Sequence, residues 1–236
     1  MAIIVCKQVC PFRYQPVGDS TLLVVFDDRI DLAVNRRVHA LWHVLQQEPL
    51  TGFIESVPAY CTLLVHFDLL LTDYKEVLDW VTKCMSASQD AIQVDSRLVE
   101  IPTVYGGEDG PDLDFVADYH HISPEDVIRI HAGAVYQVYM LGFTPGFAYL
   151  GGMDPAIAAP RLAKPRTCVP AGSVGIAGEQ TGVYPLETPG GWRIIGRTPL
   201  RLFDLLAEPP VCLAPGDEVR FIPVLEGEWP HDAGRG

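Results

Sequence analysis

Hydrophobic and polar positions alternate with two different periods along the first hundred residues. Apolar positions three and four apart predict one helix over Asp31–Gln47 and a second over Asp73–Met85. Short apolar runs bounded by turn residues predict four strands, which are Ser20–Phe26, Phe53–Pro58, Thr62–Phe67 and Arg97–Val104. The resulting order of elements, β-α-β-β-α-β, is typical of a ferredoxin-like domain.

A polar and weakly patterned segment, residues 87–96, follows the second predicted helix. We place a domain boundary there, which gives a ferredoxin-like domain over residues 1–95 and a second domain over residues 96–236. A chain of 236 residues is long enough for one large domain or two small ones, and 48% of its residues are hydrophobic.

The second half begins with helix signals and continues as short apolar runs. Ser123, followed by a proline and two acids, predicts the start of a helix that ends at Gly133. Asp112 is a candidate cap for a shorter helix through Tyr119. After Ala134 every apolar run is short and bounded by Gly or Pro, which predicts a β-barrel with at most two helices.

Residues 142–199 are unusually rich in turn-forming residues. They hold 11 of the 21 glycines and 8 of the 20 prolines of the chain. Large apolar side chains such as Phe147 and Trp192 are interleaved with them, whereas disordered linkers lack such side chains. We therefore expect short strands joined by defined turns, which are common places for binding and catalytic residues.

The charge of the chain is distributed unevenly. The formal net charge is −13, but residues 160–201 contain six cations and two acids, a net +4 that leaves −17 on the rest. A compact cationic region on an acidic protein favours a small anionic ligand such as a carboxylate or a phosphate, with surface salt bridges as the alternative. The acidic balance argues against nucleic acid and anionic membranes as partners.

Several classes of site are not indicated. The sequence has no P-loop, no GxGxxG, no complete GxSxG and no HExxH motif. Six cysteines without CxxC spacing indicate reduced thiols, with a Cys6–Cys10 pair as a minor alternative. His120 and His121 are adjacent and make a poor metal pair, so we expect no metal. Without a signal peptide or a membrane span, the expected location is the cytoplasm.

Two groups of residues are candidates for chemistry. His131 lies on the predicted helix, where it is either a general base or a buried core histidine. The segment Pro189–Trp192 offers glycine amides that suit an anion nest or an oxyanion hole, or else forms a plain hairpin turn. Because barrel loops can meet at one end, we expect Arg166 and Arg197 to bind an anion together, with the amides of Gly190 and Gly191 facing the reacting oxygen.

These residues also carry a resemblance. The sequence resembles the family that contains the B subunit of prokaryotic 5-oxoprolinase, allophanate hydrolase subunit 1 and the sporulation-kinase inhibitor KipI, from about residue 10 to 224. The matching blocks are Gly110–Leu113, His131, Gly142–Leu150, Pro165–Arg166, Pro170–Val174, Gly182–Pro185, Pro189–Pro199, Gly216–Asp217 and Arg220–Phe221.

The resemblance implies an α+β protein, a ferredoxin-like domain followed by a cyclophilin-like β-barrel. It also implies the B subunit of a 5-oxoprolinase, a hydrolase that works with A and C subunits and opens 5-oxo-L-proline to L-glutamate with ATP. The missing P-loop then implies a non-standard nucleotide site or one shared with a partner. The alternatives within the family are a regulator that inhibits a histidine kinase and an allophanate-processing subunit.

The motifs and the resemblance together define the expected site. The catalytic candidates are His131, Arg166 and Arg197. The substrate-binding candidates are Phe143, Pro145, Gly146, Phe147, Tyr149, Arg161, Ser173, Gln180, Tyr184, Pro189, Gly190, Gly191 and Trp192.

Overall fold

A computed structural model of the chain describes residues 12–88 and 96–225. The chain divides into two compact units. The predicted α+β fold class is confirmed, because the first unit is a sheet with two helices and the second is a closed barrel.

The first unit is a four-stranded antiparallel sheet with two helices. Its elements are β1 (Arg13–Pro16), β2 (Thr21–Val25), α1 (Leu32–Gln47), β3 (Phe53–Pro58), β4 (Thr62–Phe67) and α2 (Tyr74–Ser88). The strand order is β1-β2-β4-β3. Alternate residues of the central strands, such as Leu22 and Val65, form one buried cluster with residues of both helices, such as Leu41 and Val81. Both helices therefore cover the same face of the sheet.

One strand of the predicted ferredoxin-like order is not part of this sheet. The run predicted at Arg97–Val104 forms β5 (Leu98–Tyr105), which pairs with strands of the barrel. The edge position beside β2 belongs instead to β1, which the periodicity did not predict. With only four residues, β1 is too short to show a clear alternation, and an apolar run looks the same in whichever sheet it pairs.

The second unit is a closed seven-stranded barrel with two helices and a separate ribbon. After β5 its elements are α3 (Leu113–His120), α4 (Pro124–Gly133), β6 (Tyr136–Leu141), β7 (Ala148–Gly151), β8 (Arg166–Val169), β9 (Ser173–Ala177), β10 (Gln180–Val183), β11 (Thr188–Gly190), β12 (Arg193–Arg197) and β13 (Glu218–Pro223). The barrel order is β10-β7-β6-β13-β5-β12-β9, and β8 pairs with β11. The two helices and the barrel were predicted.

The helix starts differ from the prediction in one detail. Ser123 caps α4 as expected, because its hydroxyl accepts a hydrogen bond from Asp126 N at 3.0 Å. Asp112 precedes α3, but its side chain makes no capping hydrogen bond. The carboxylate of Asp112 is instead directed to two arginines of the barrel unit, Arg166 and Arg193.

Other expectations from the sequence concern disulfide bonds, membrane-spanning helices and metal ions. The described cysteines Cys61, Cys84, Cys168 and Cys212 are free thiols, whereas Cys6 and Cys10 lie outside the described residues. Within residues 12–88 and 96–225, no helix is long and apolar enough to cross a membrane. The same residues contain no group of three or more His, Cys, Asp or Glu side chains placed to hold a metal ion.

Candidate functional site

Strand β12 connects two chemically different places in the barrel unit. It begins at Arg193 and ends at Arg197, opposite Ile176 and Ser173 of β9. Because the register shifts between Ile194 and Gly196, the Cα atoms of the two arginines are roughly 10 Å apart at the usual rise. An ion-pair cluster surrounds the first residue, and an open cavity adjoins the last.

The Asp112 cluster consists of Asp112, Arg166 and Arg193. Arg166 donates to both carboxylate oxygens of Asp112, from Nη1 at 2.8 Å and from Nη2 at 2.9 Å. Arg193 Nη1 lies 3.7 Å from Asp112 Oδ1, and the backbone N–H of Ile194 donates to Oδ2 at 2.7 Å. Asp112 is buried, so a single carboxylate ties α3, β8 and β12 together.

The cations of this cluster have few donors left for a ligand. Arg166 Nη1 also reaches the carbonyl of Trp192 at 3.4 Å. Arg193 donates from Nε to the carbonyl of Pro160 at 3.2 Å, and its guanidinium lies 3.4 Å from the ring centre of Phe115. Because Arg166 and Arg193 direct these donors to protein atoms, this end of β12 is a fixed junction.

The Arg197 cavity lies at the other end of β12. Its volume is about 320 Å³. It is lined by Ala171, Gly172, Pro185, Leu186, Arg197, Thr198, Pro199, Leu200, Arg201 and Phe203. The lining thus combines apolar walls with two cations and contains no acid, which suits a small ligand that carries a negative charge.

Backbone hydrogen bonds fix the floor of this cavity. Gly172 N–H donates to the carbonyl of Tyr184 at 2.7 Å, and Thr198 N–H donates to the carbonyl of Gly172 at 2.9 Å. Gly172 has φ +83°, and a Cβ there would collide with the carbonyl oxygen of Thr198. Only glycine therefore lets the turn after β8 approach the end of β12 so closely.

The cations of the Arg197 cavity keep donors free. Arg197 Nε donates to the carbonyl of Ala171 at 3.0 Å, which holds the side chain at the wall. Its Nη1 is 3.7 Å from Asp109 Oδ1, too far for a hydrogen bond. Within the described chain, both Nη groups of Arg197 lack a hydrogen-bond acceptor, and the side chain is 40% exposed. Arg201 forms a surface ion pair with Asp204 at 2.9 Å.

The structure does not bring Arg166 and Arg197 together. Arg166 binds Asp112 and the Trp192 carbonyl at the start of β12, whereas Arg197 lines the cavity at its end. The expected anion site shared by these two guanidinium groups is therefore not assembled in this structure. Arg201, four residues after Arg197, is the second cation at the cavity.

Four of the predicted aromatic residues form one cluster. Phe147, Tyr149, Tyr184 and Trp192 meet edge to face, with ring centres 4.9 to 6.5 Å apart. Phe147, Tyr184 and Trp192 are buried, and burial raises the pKa of Tyr184. Arg161 lies over the Trp192 ring at 6.0 Å, within the range of a cation–π contact. The cluster is a small core between the barrel and the β8–β11 ribbon.

The glycines before Trp192 have a packing role. Gly190 lies opposite Arg166 in the β8–β11 pair, with Pro189 beside it in the same strand. A Cβ at Gly190 would collide with the Tyr184 hydroxyl and come within 2.8 Å of Tyr184 Cζ. Gly191 has more space, since the nearest atom to a Cβ there is Pro165 Cγ at 3.5 Å. The contact with Tyr184 is a structural reason for glycine at position 190.

The turn between β6 and β7 adjoins the Arg197 cavity. Gly146 follows Pro145 and has φ +79°, and a Cβ there would meet Cβ of Phe203 at 3.1 Å and Cβ of Pro185 at 3.4 Å, two residues of the cavity wall. Phe143 has φ +68° although it is not glycine, and its side chain is 62% exposed. A left-handed, exposed aromatic residue is uncommon and marks this turn as a candidate contact site.

His131 is enclosed in the barrel unit and has partners on both ring nitrogens. Nδ1 is 2.7 Å from the hydroxyl of Tyr105, and Nε2 is 2.9 Å from Oγ1 of Thr181. Thr181 donates its own hydrogen to the carbonyl of Gly175, so it must accept from His131 Nε2–H, and the ring is neutral with Nδ1 accepting from Tyr105. Burial lowers the pKa of His131 from 6.5 to about 3. This arrangement fits the alternative of a buried core histidine.

The last two predicted residues lie on barrel strands. Ser173 is buried at the start of β9, directly opposite Arg197 on β12. Gln180 begins β10 and pairs with Ala177. Ser173 is therefore close to the cavity in the strand register but does not line it.

Most residues of these two places were not predicted as site residues. Asp112 was predicted only as a helix cap, because the arginines that bind it are far away in sequence. Of the ten residues that line the cavity, only Arg197 was among the site candidates, so Arg201 and Phe203 were missed. The signal for Arg201 was present, because it is the last of the six cations of residues 160–201.

Comparisons with known proteins define the family of the chain. A family model described as carboxyltransferase domain, subdomain C and D, matches residues 12–213. The chain is 44% identical to the B subunit of 5-oxoprolinase from Bacillus subtilis (strain 168) over 228 residues, which cover 92% of this chain and 95% of the relative.

Two solved structures are similar to the chain. A conserved uncharacterized protein of Pyrococcus horikoshii, PH0987, is 51% identical with a TM-score of 0.56, and the match covers 91% of this chain and 99% of that one. The protein TTHA0988 is 38% identical with a TM-score of 0.79, and the match covers 89% of this chain. The matched part is 41% of TTHA0988, so the chain spans about two fifths of that longer protein. These matches show that the chain belongs to the carboxyltransferase subdomain C and D family and, within it, to the group of 5-oxoprolinase B subunits.

Proposed function

We propose that the chain works as the B subunit of a multi-subunit 5-oxoprolinase, which opens the ring of 5-oxo-L-proline to L-glutamate and hydrolyses ATP. The observation that carries the proposal is a match of 40% to 44% identity over 95% of the length of three relatives that bear this name. The Arg197 cavity supports it, since the substrate is a small carboxylate.

The proposed reaction couples ring opening to the hydrolysis of ATP. A five-membered lactam resists water, so ATP activates the ring carbonyl oxygen as an acyl-phosphate-like species before water adds and the C–N bond breaks. Such a reaction needs charge stabilisation at the phosphate and at the developing oxyanion. Because the chain has no P-loop, we propose that the nucleotide binds outside the Arg197 cavity, at a site shared with the A and C subunits. ATP and the substrate are cytoplasmic metabolites, so the complex works there.

The site residues retain separate roles in this proposal. Arg197 contacts the substrate, and Gly146 and Ser173 shape the region beside it, whereas Phe143 packs edge to face on Phe147 of the aromatic cluster. The aromatic cluster positions the cavity loops, because Tyr184 packs on Gly190 with its side chain and holds Gly172 with its backbone carbonyl. Arg166 holds the Asp112 cluster at the other end of β12.

Co-expression tests the proposal. The chain is purified with the A and C subunits from the same genome, and ATP hydrolysis is measured with and without 5-oxo-L-proline. We expect a complex that contains the chain and hydrolyses ATP only when 5-oxoproline is present. Separate elution of the chain, together with activity of the A and C subunits alone, contradicts the proposal and favours a regulatory role such as kinase inhibition.

A further inference from the structure

The size of the Arg197 cavity suits the lactam substrate of the proposed reaction. Its volume, about 320 Å³, is at the lower end of the range of small-ligand sites, which leaves room for a molecule as small as 5-oxoproline.

The chemistry of the walls agrees with the size. A lactam acid has a flat ring with two methylene groups and a carboxylate at one edge. Pro185, Pro199 and Phe203 provide apolar surfaces for the ring, and Arg197 provides the cation. A nucleotide would need a magnesium-binding acid beside its phosphates, and the lining contains no Asp or Glu.

The guanidinium of Arg197 is poised for a carboxylate. Its Nε is occupied by the carbonyl of Ala171, which fixes the plane of the group at the cavity wall. The two Nη groups have no hydrogen-bond acceptor among residues 12–88 and 96–225, so they can form a paired contact with two carboxylate oxygens. The weak ion pair with Asp109 at 3.7 Å is easily replaced by such a ligand.

We propose that the Arg197 cavity is a binding subsite for small cyclic carboxylates, with the carboxylate on Arg197, and that it excludes the nucleotide. This inference rests on the proposed function for the choice of ligand. It goes beyond that function because it places the binding subsite for the substrate, and not a site for ATP, on this chain alone.

Binding to the purified chain tests the subsite. Titration calorimetry with 5-oxo-L-proline is compared with 2-pyrrolidinone, which has the same lactam without the carboxylate. We expect 5-oxoproline to bind, 2-pyrrolidinone to bind at least tenfold more weakly, and ATP to leave 5-oxoproline binding unchanged. Arg197→Gln should weaken 5-oxoproline binding at least tenfold.

Arg220→Gln is the matched control, because Arg220 also forms a long, exposed ion pair on a barrel strand, 3.8 Å from Glu100. This variant should bind 5-oxoproline like the wild type. Absence of binding to the wild-type chain at millimolar concentration, equal affinity of Arg197→Gln, or competition by ATP each overturns the proposal.

The proposed function can fail while the subsite proposal stands, and the subsite proposal can fail while the proposed function stands. If 5-oxoproline binds through Arg197 but the complex with the A and C subunits shows no dependent ATP hydrolysis, the subsite stands and the proposed function does not. If the complex is active and Arg197→Gln leaves its KM for 5-oxoproline unchanged, the proposed function stands and the subsite assignment is wrong.

Discussion

The two ends of β12 use the same residue type for opposite purposes. At the first end, Arg166 and Arg193 share the buried carboxylate of Asp112 and direct their donors to protein atoms. At the other end, Arg197 is held by one backbone carbonyl, and within the described part of the chain its two Nη groups have no hydrogen-bond acceptor at the open cavity. A cationic stretch in a sequence therefore does not show which of its cations serve a ligand, since the position of the acids decides it.

The largest effect is expected at the fixed end. Asp112→Ala removes the carboxylate that two arginines share and leaves Arg166 only partly exposed without its partner. Breaking such a pair should lower the free energy of unfolding by about 3 kcal/mol. Urea unfolding at pH 7 measures this loss of free energy.

Asp109→Ala is the control at the cavity end, because Asp109 pairs with Arg197 only at 3.7 Å. This substitution should lower the free energy of unfolding by less than about 1 kcal/mol. Equal losses for the two variants would contradict the distinction between the two ends.

A smaller loss is expected in the ribbon next to the Asp112 cluster. Gly190→Ala places a methyl group against the ring of the buried Tyr184, and overpacking of this kind costs about 2 kcal/mol. Gly191→Ala, where a Cβ meets only Pro165 at 3.5 Å, should change stability by less than about 0.5 kcal/mol. Thermal unfolding compares the stabilities of the two variants. If Gly190→Ala retains wild-type stability but loses activity, the glycine serves a bound anion instead.

The pH dependence of stability tests the buried His131. Its folded-state pKa, about 3, is below the value of 6.5 for an unfolded histidine. The unfolded chain therefore binds a proton first as the pH falls, and the stabilisation present above pH 6.5 is lost progressively below it. Between pH 7 and pH 5.5 this single group should lower the free energy of unfolding by about 1 kcal/mol.

His131→Gln removes the titrating group and keeps an amide that can donate to Thr181. The difference in pH slope between this variant and the wild type isolates the histidine. Parallel slopes would show that His131 is accessible to protons in the folded barrel, which would restore it as a candidate general base.

The local elements were predictable because their periodicity depends on neighbouring residues. Strands Phe53–Pro58 and Thr62–Phe67 were predicted with their observed bounds, and the helix after Ser123 was marked by its cap. Arg197 was a candidate for an anion ligand because the cations of residues 160–201 were visible. The use of Arg166 was not predictable, since its partner Asp112 lies 54 residues away and meets it only through the closure of the barrel.

Binding of 5-oxo-L-proline to Arg166→Lys and Arg197→Lys compares the two ends most directly. Lysine keeps the charge but cannot form the paired contact of a guanidinium. We expect Arg197→Lys to weaken binding at least tenfold with an unchanged melting temperature. Arg166→Lys should bind 5-oxoproline like the wild type and unfold about 3 °C lower, equivalent to about 1 kcal/mol. The reverse result, with weakened binding in Arg166→Lys and wild-type binding in Arg197→Lys, would place the ligand at the Asp112 cluster and contradict the division of roles along β12.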